Sequence, residues 1–456
     1  MEEALNVPIA ARIERLPSSR YLGLLLVLIA LGTFWDSYML FSIGPISAHF
    51  FAFLKQKQLA TELPLALFLG TFVGAVALST VADKIGRRNA FTLDLCILAI
   101  GDLAAVFSPN ATFLLVALFV AGVGTGAELP LSATFIQELS SARKRGRMTS
   151  LQLAIGFLGG TVGGFAALFL VPVTSLPLPG FKIALLLAAI GGFSSLLLRL
   201  GLPESPRWLE RVGRRDEADR VMTAIEHRVM AEKGIAALPP PVTIEYDIVS
   251  KVPLTLLVSG RYLRRTLSAW LIELFQGFGA YGFTTFVPFV LYSRGYSIVH
   301  ALEYTAIIQI AYPVGTVISA YVTDRLQRKW GMAILYTLNM LVGLGFLFAN
   351  SVPLIILFGF LTEMLIFLDG PLLHTYEAEI YPTSVRGRGA GISFALSRLG
   401  GFLAPLVAGL LLAVNRSGGA LIGAAAAAWL FCALVAAVLA VDTTNITLEE
   451  LETVDR

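Results

Sequence analysis

The stretch "FALSRLGG", residues 394–401, sets a single arginine in apolar sequence: from Gly389 to Val414, Arg398 is the only charged side chain. An arginine at the centre of a bilayer costs about 2.5–3.5 kcal/mol, and it cannot escape that cost by losing its proton. What it offers is a planar fork of five N–H donors, suited to bidentate binding of a carboxylate. Of the acids inside apolar runs, five are candidates to face Arg398: Asp36, Glu128, Glu273, Glu363 and Asp369. A carboxyl group in apolar surroundings can take up a proton near neutral pH. The competing reading is that Arg398 makes a permanent ion pair with one of these acids and holds helices together.

The elements that position these groups are apolar and long. The chain has 456 residues, is 56% apolar and only 14% charged, against about 25% charged in a soluble domain. Twelve apolar runs approach the roughly 20 residues a bilayer requires: 21–45, 63–82, 90–107, 111–137, 149–172, 180–201, 264–293, 300–323, 331–349, 352–376, 388–412 and 420–441. The first is too long for the core of a signal peptide and is expected to be retained. The N-terminus, the even-numbered loops with their helix edges and the C-terminus carry 27 of the 34 Lys and Arg, which assigns them to the cytoplasm. Arg199 ends the sixth run, so Arg398 reads as the only deep cation. It lies 12 residues past Arg386, about 18 Å at helical rise.

Cys96 and Cys432 fall inside apolar runs and suggest neither a disulfide nor a redox site. "GVGTGAE" (122–128) lies within an apolar run with no strand before it, which argues for close helix packing rather than a dinucleotide loop. No G-x-x-x-x-G-K-[ST] occurs. His49, His227, His300 and His374 show no metal-ligand spacing, and the basic residues follow the membrane rather than a nucleic acid. No cofactor, metal or nucleic-acid partner is expected.

The chain divides at residues 202–263, which begin with apolar residues at helical spacing (Leu209, Val212, Val221, Ile225, Val229) and are broken by "ALPPPV". An amphipathic helix on the membrane surface is expected there. The sequence thus parses as an N-terminal bundle (1–201), this linker, a C-terminal bundle (264–442) and a tail (443–456). A shift of 241 positions reveals an internal repeat. Asp83 falls on Asp324, Arg87 on Arg328, Pro130 on Pro371 and Glu138 on Glu379. "RGR" (145–147) falls on 386–388 and "LGG" (158–160) on 399–401. Glu128 pairs conservatively with Asp369. Arg398, by contrast, falls on Phe157, and Asp36 on Gly277; residues that break the symmetry are the better candidates for chemistry. Two such halves imply a site at their interface near the midplane.

"STVADKIGRR" (79–88) and "AYVTDRLQRK" (320–329) resemble the G-x-x-x-D-R-x-G-R-R loop signature of the major facilitator superfamily. Ser79 and Lys84 depart from it in the first copy, Ala320 and Gln327 in the second. "PESPRWL" (203–209) and "YEAEIYPTSVRG" (376–387) are similar to its sugar-porter and organic-ion branches. "FWDSYMLF" (34–41), "GFGAYGFTTFVP" (277–288) and "SRLGGFLAP" (397–405) resemble metabolite:proton symporters of the niacin and aromatic-acid type and the organic-anion and organic-cation transporters. The resemblance implies an all-α membrane protein of twelve helices in two pseudo-symmetric six-helix bundles.

It further implies a proton-coupled symporter, not an enzyme, that works as a monomer in the cell membrane with both termini cytoplasmic. Its substrate would be a small organic anion, an aromatic or heteroaromatic monocarboxylate, moved by alternating access and driven by the proton gradient. In organic-anion transporters the position of Arg398 is typically an arginine that meets the anionic group. Arg398 is therefore assigned the substrate, with Trp35, Tyr38, Phe157, Gln276, Tyr281, Gln309 and Phe394 around it. Asp36 is assigned the proton, with Glu128, Asp369 and Glu273 as alternatives or relay partners, while Asp94 and Asp102 read as packing or boundary residues. Asp83, Arg87, Glu138 and Arg145, repeated as Asp324, Arg328, Glu379 and Arg386, form two gates in this reading; a topology signal alone would explain the cations but not the acids. Two rivals stay open: a transporter of a neutral or cationic solute such as a sugar, polyol or amine, and a membrane sensor that binds without transporting.

Overall fold

A computed structural model of the chain describes residues 7–52, 55–173, 177–241, 254–381, 386–413 and 418–443. The apolar runs form twelve long helices: α1 (Arg20–Ala52), α2 (Lys57–Ile85), α3 (Arg87–Val106), α4 (Ala111–Leu139), α5 (Ala142–Leu170), α6 (Gly180–Arg199), α7 (Gly260–Ser293), α8 (Ile298–Ile308 with Ala311–Val322), α9 (Arg328–Phe348), α10 (Val352–Ile380), α11 (Arg386–Ala413) and α12 (Gly418–Leu439). In hydrocarbon each backbone N–H and C=O must be satisfied within its own segment, and the helix is the solution open to a single span.

The internal repeat is visible in the packing. In the N-terminal half α1 packs on α5, α2 on α4 and α3 on α6; in the C-terminal half α7 packs on α11, α8 on α10 and α9 on α12. Glycines allow the closest approaches. A Cβ on Gly70, Gly74 or Gly126 would strike backbone across the α2–α4 seam, and one on Gly277 or Gly400 would do so between α7 and α11. Pro130 and Pro371 occupy matching positions inside α4 and α10. Each leaves a turn in which the threonine four residues on donates to the proline carbonyl: Thr134 to Pro130 at 2.8 Å and Thr375 to Pro371 at 2.7 Å.

Two elements depart from the sequence reading. The eighth run is broken at Gln309–Ile310. Pro313 has no N–H to return to the carbonyl four residues before it, and the freed Gln309 carbonyl instead accepts a 2.7 Å hydrogen bond from Thr161 Oγ1 of α5. The linker forms helices at Pro206–Arg211 and Arg215–Lys233, but their apolar face is covered by protein rather than laid on lipid. Leu209, Ile225 and Val229 are buried with Ile9 and Ile13 of an N-terminal helix, Ile9–Glu14. Arg12 pairs with Glu226 at 2.7 Å and Asp219 at 3.0 Å, and Arg15 with Glu226 at 2.7 Å. Glu232 caps α1 by accepting from the backbone N–H groups of Arg20 and Tyr21. This side of the molecule is called the linker side below, and the opposite one the far side.

Candidate functional site

A cavity of about 100 Å³ lies between the halves. Its charged and polar lining comes from α1 (Asp36, Ser37), α7 (Glu273, Gln276, Tyr281, Thr284), α10 (His374) and α11 (Arg398), and aromatic rings of Phe41, Phe157, Phe367 and Phe394 complete it. Ordinary ligand pockets hold 300–1,000 Å³, so this one is narrow. The contacts that join the halves lie at or beyond it on the far side. Phe51 of α1 meets Phe289 of α7 with centroids 4.5 Å apart, and the Gln309 amide donates to the Phe41 carbonyl at 3.4 Å. Phe41, Tyr312, Phe157 and Phe367 form a ring layer across the interface, with centroid separations from 4.3 to 6.5 Å. On the linker side of the carboxylates His374 keeps 41% of its side chain exposed.

Arg398 is 1% exposed. Its Nη1 donates to Tyr281 Oη at 2.6 Å, and its guanidinium carbon sits 4.9 Å from the Phe394 ring centre and 5.5 Å from that of Tyr281. Its Nε has no hydrogen-bond partner, and no carboxylate comes within 4.0 Å of it, among the described residues. The structural ion pair of the competing reading is therefore not made in this conformation among the described residues. Asp36, 2% exposed, faces the same cavity with Oδ1 unbonded among the described residues.

Of the residues expected at the site, Arg398, Asp36, Glu273, Gln276, Tyr281, Phe157 and Phe394 are brought together around the cavity. Three are not. Tyr38 turns into its own bundle, its Oη donating to the Ala184 carbonyl at 3.1 Å, and Trp35 packs over Gly191 of α6. Gln309 is spent on the contact between the halves. Glu128 is also withdrawn: Arg199, 3% exposed, pairs with it at 2.6 Å and donates to the Leu28 and Ile29 carbonyls of α1. Arg398 is thus not the only buried cation; a side chain at the end of α6 reaches back about a turn into the bundle. Asp369 is 1% exposed, does not line the cavity, and has neither oxygen hydrogen-bonded among the described residues. Glu363 accepts from Thr284 at 3.1 Å. Asp94 and Asp102 are buried rather than boundary residues, and both Asp102 oxygens lack a hydrogen-bond partner among the described residues.

The repeated loop groups form the same staple twice. Arg87 meets Glu138 at 3.2 Å and donates to the Ala82 carbonyl; Arg328 meets Glu379 at 3.1 Å and donates to the Thr323 carbonyl, 241 residues on. Each pair joins two helices of one half, α3 to α4 and α9 to α10, rather than crossing between halves. The side chains of Asp83, Arg145, Asp324 and Arg386 lie outside the described residues. Sequence spacing missed Glu377, which is 1% exposed and meets His374 from one turn further along α10. Burial marks it; its neighbourhood with the exposed-looking signature "YEAEIYP" hid it.

A transporter built from two six-helix halves around a central cavity is the class this arrangement defines. The chain belongs to the sugar (and other) transporter family of the major facilitator superfamily, whose family model matches residues 26–454. It is 30% identical over 403 residues to the niacin transporter NiaP of Acinetobacter baylyi, covering 88% of this chain and 89% of that one. It is 27% identical to the putative metabolite transport protein YyaJ of Bacillus subtilis, covering 88% of each. Its fold is similar to the inward-open xylose transporter XylE of E. coli, with a TM-score of 0.74 at 17% identity over 95% of this chain and 99% of that one. The protein is a multi-pass membrane transporter.

Proposed function

We propose that the protein is a proton-coupled symporter that imports a small organic anion, an aromatic or heteroaromatic monocarboxylate, with the linker side and both termini in the cytoplasm and a single chain as the working unit. The observation that carries this is Arg398: a buried guanidinium, unpaired with any described acid, opening onto an aromatic-lined cavity. A fixed cation in low dielectric is retained for the charge it will meet. A carboxylate can take the free Nε edge of the fork while Tyr281 holds Nη1, and Phe394 and Phe157 offer ring faces to an aromatic body.

Asp36 is assigned the proton. Protonation of Asp36 and binding of the carboxylate to Arg398 add one charge of each sign, so the fully loaded site carries the same net charge as the empty one. These two states reorient, while a site holding only the proton or only the anion carries an unbalanced charge and does not. The kinship with a niacin transporter supports this substrate class. The family also holds sugar transporters, and the polar lining can serve hydroxyl groups; the four rings and the unpaired Arg398 guanidinium favour an aromatic anion over a polyol. Uptake of labelled benzoate and nicotinate into proteoliposomes, with and without an inward proton gradient, tests the reading. Gradient-driven accumulation that Arg398→Ala abolishes supports it. Uptake of xylose or a cationic amine with no response to either carboxylate would overturn it.

A further inference from the structure

The reading above leaves one buried cluster unused. His374 Nδ1 lies 3.4 Å from Glu377 Oε2 and 3.7 Å from Glu273 Oε1, and one ligand atom from each residue falls within 4.8 Å of the other two. Both carboxylate side chains are 2% exposed. Glu273 Oε1 and Glu377 Oε1 have no hydrogen-bond partner among the described residues. His374 and Glu273 line the cavity, and Glu377 stands behind them.

Two carboxylates this close in low dielectric repel strongly, and the pair persists only when positive charge is shared between them. Among the described residues the sole cationic group within ion-pair distance is His374 itself. The titratable groups that face the cluster supply no other cation free for the purpose. They are Asp369 on α10, Tyr381 beyond its end, Tyr281 on α7, Tyr336 from α9, Cys432 from α12, Arg398 from α11 and, across the cavity, Asp36 on α1. Arg398 is held by Tyr281 and by the substrate. The exposed His374 ring gives the two buried acids a route for exchange with water on the linker side.

We propose that Glu273, His374 and Glu377 form a second proton-binding site, in the C-terminal half, so that two protons accompany each monovalent anion. This rests on the proposed function. The anion and the Asp36 proton cancel; the second proton leaves one net positive charge moving inward. The symport is therefore driven by membrane potential as well as by the proton gradient, whereas one proton per anion would be electrically silent.

The test uses the full-length protein in proteoliposomes with labelled benzoate. A tenfold outward potassium gradient with valinomycin, at equal pH on both sides, imposes an inside-negative potential. One net charge then gives up to about tenfold accumulation. The wild type is expected to accumulate under this potential. Glu377→Gln is expected to lose that response while retaining benzoate counterflow and accumulation under a pH gradient, and Glu377→Asp, which keeps a carboxyl group, is expected to keep the response. A wild type that responds to the pH gradient but not to the potential overturns the second site and leaves the proposed function standing. A wild type that responds to neither sinks the proposed function first. A potential response that survives in Glu377→Gln, or counterflow lost in both variants, overturns the assignment, since the cluster is then bystander or scaffold. So does a response that disappears in EDTA and returns with zinc, which would make the cluster a metal site.

Discussion

Replacing Arg398 tests the site most directly, because its two possible roles predict opposite signs for stability. If the guanidinium awaits a substrate carboxylate, Arg398→Ala removes a charge-assisted fork from a desolvated site. Truncating one partner of such a pair costs about 2–5 kcal/mol, which is roughly 30- to 5,000-fold in Kd. Arg398→Lys keeps the charge but not the fork, and a single point contact leaves affinity about tenfold weaker than wild type. Stability should move the other way. The 1% exposed guanidinium holds one hydrogen bond, to Tyr281, and its Nε none among the described residues. Deleting it relieves an uncompensated buried charge, so the apo protein should melt no lower than wild type in detergent. If Arg398 instead were half of a structural pair, breaking that pair would cost about 3–5 kcal/mol and the melting temperature would fall. Labelled benzoate binding in detergent and a thermal melt on the same samples decide. Unchanged affinity with a lowered melting temperature refutes the reasoning.

Arg199 supplies the contrast, since it and Glu128 are an established buried pair. Arg199→Ala should lose about 3–5 kcal/mol and melt well below wild type, with Arg199→Met/Glu128→Leu recovering much of the loss; equal melting of Arg199→Ala and wild type would contradict this. Gly44 faces the Thr285 backbone on the far side. Gly44→Leu should disfavour the far-closed state by about 1–3 kcal/mol, leaving benzoate binding intact and uptake at least fivefold slower, and normal uptake would count against alternating closure at this seam. Outside the membrane, burial alone would raise the Glu226 carboxyl, but the hydrogen bonds and charges of Arg12 and Arg15 outweigh it and hold the group below its ordinary value of 4.5. An acid held low in the folded state contributes stability above its ordinary value and loses it as pH falls below. The melting difference between wild type and Glu226→Gln should therefore be full at pH 7, begin to shrink as pH falls past 4.5, and vanish only below the lowered folded-state value.

What the sequence disclosed was whatever depends on solvent. Length and apolarity fix the twelve helices because the bilayer permits nothing else, and the 241-residue repeat carries its consequences in the fold down to the paired threonines behind Pro130 and Pro371. The break in α8 was hidden because Pro313 sits in an apolar run of ordinary length, and its effect appears only where Thr161 of the other half takes up the freed carbonyl. Direction of a side chain was hidden too. Asp36 and Tyr38 are two residues apart, about 200° around a helix, so a motif that names both cannot say that one meets the cavity and the other α6. Arg199 was misjudged because position along a helix gives the depth of its Cα, while an arginine reaches back along the bundle.

Symmetry and its breaking then divide the buried charges by role. Arg87–Glu138 and Arg328–Glu379 obey the repeat, and each closes on its own half. The Glu128–Arg199 pair keeps its acid in register with Asp369, but the partner has no counterpart: 241 residues past Arg199 stands Ala440. Glu128 is thus neutralised while Asp369 carries no bonded oxygen among the described residues. The N-terminal half therefore offers the cavity one acid, Asp36, and the C-terminal half offers the fixed cation together with the Glu273–His374–Glu377 cluster. Charges that must change partner during a transport cycle lie on opposite walls, and those that never need to change are locked within one wall. That division suits rigid-body rocking of the two halves, since the facing charges sit at the one seam where the repeat fails.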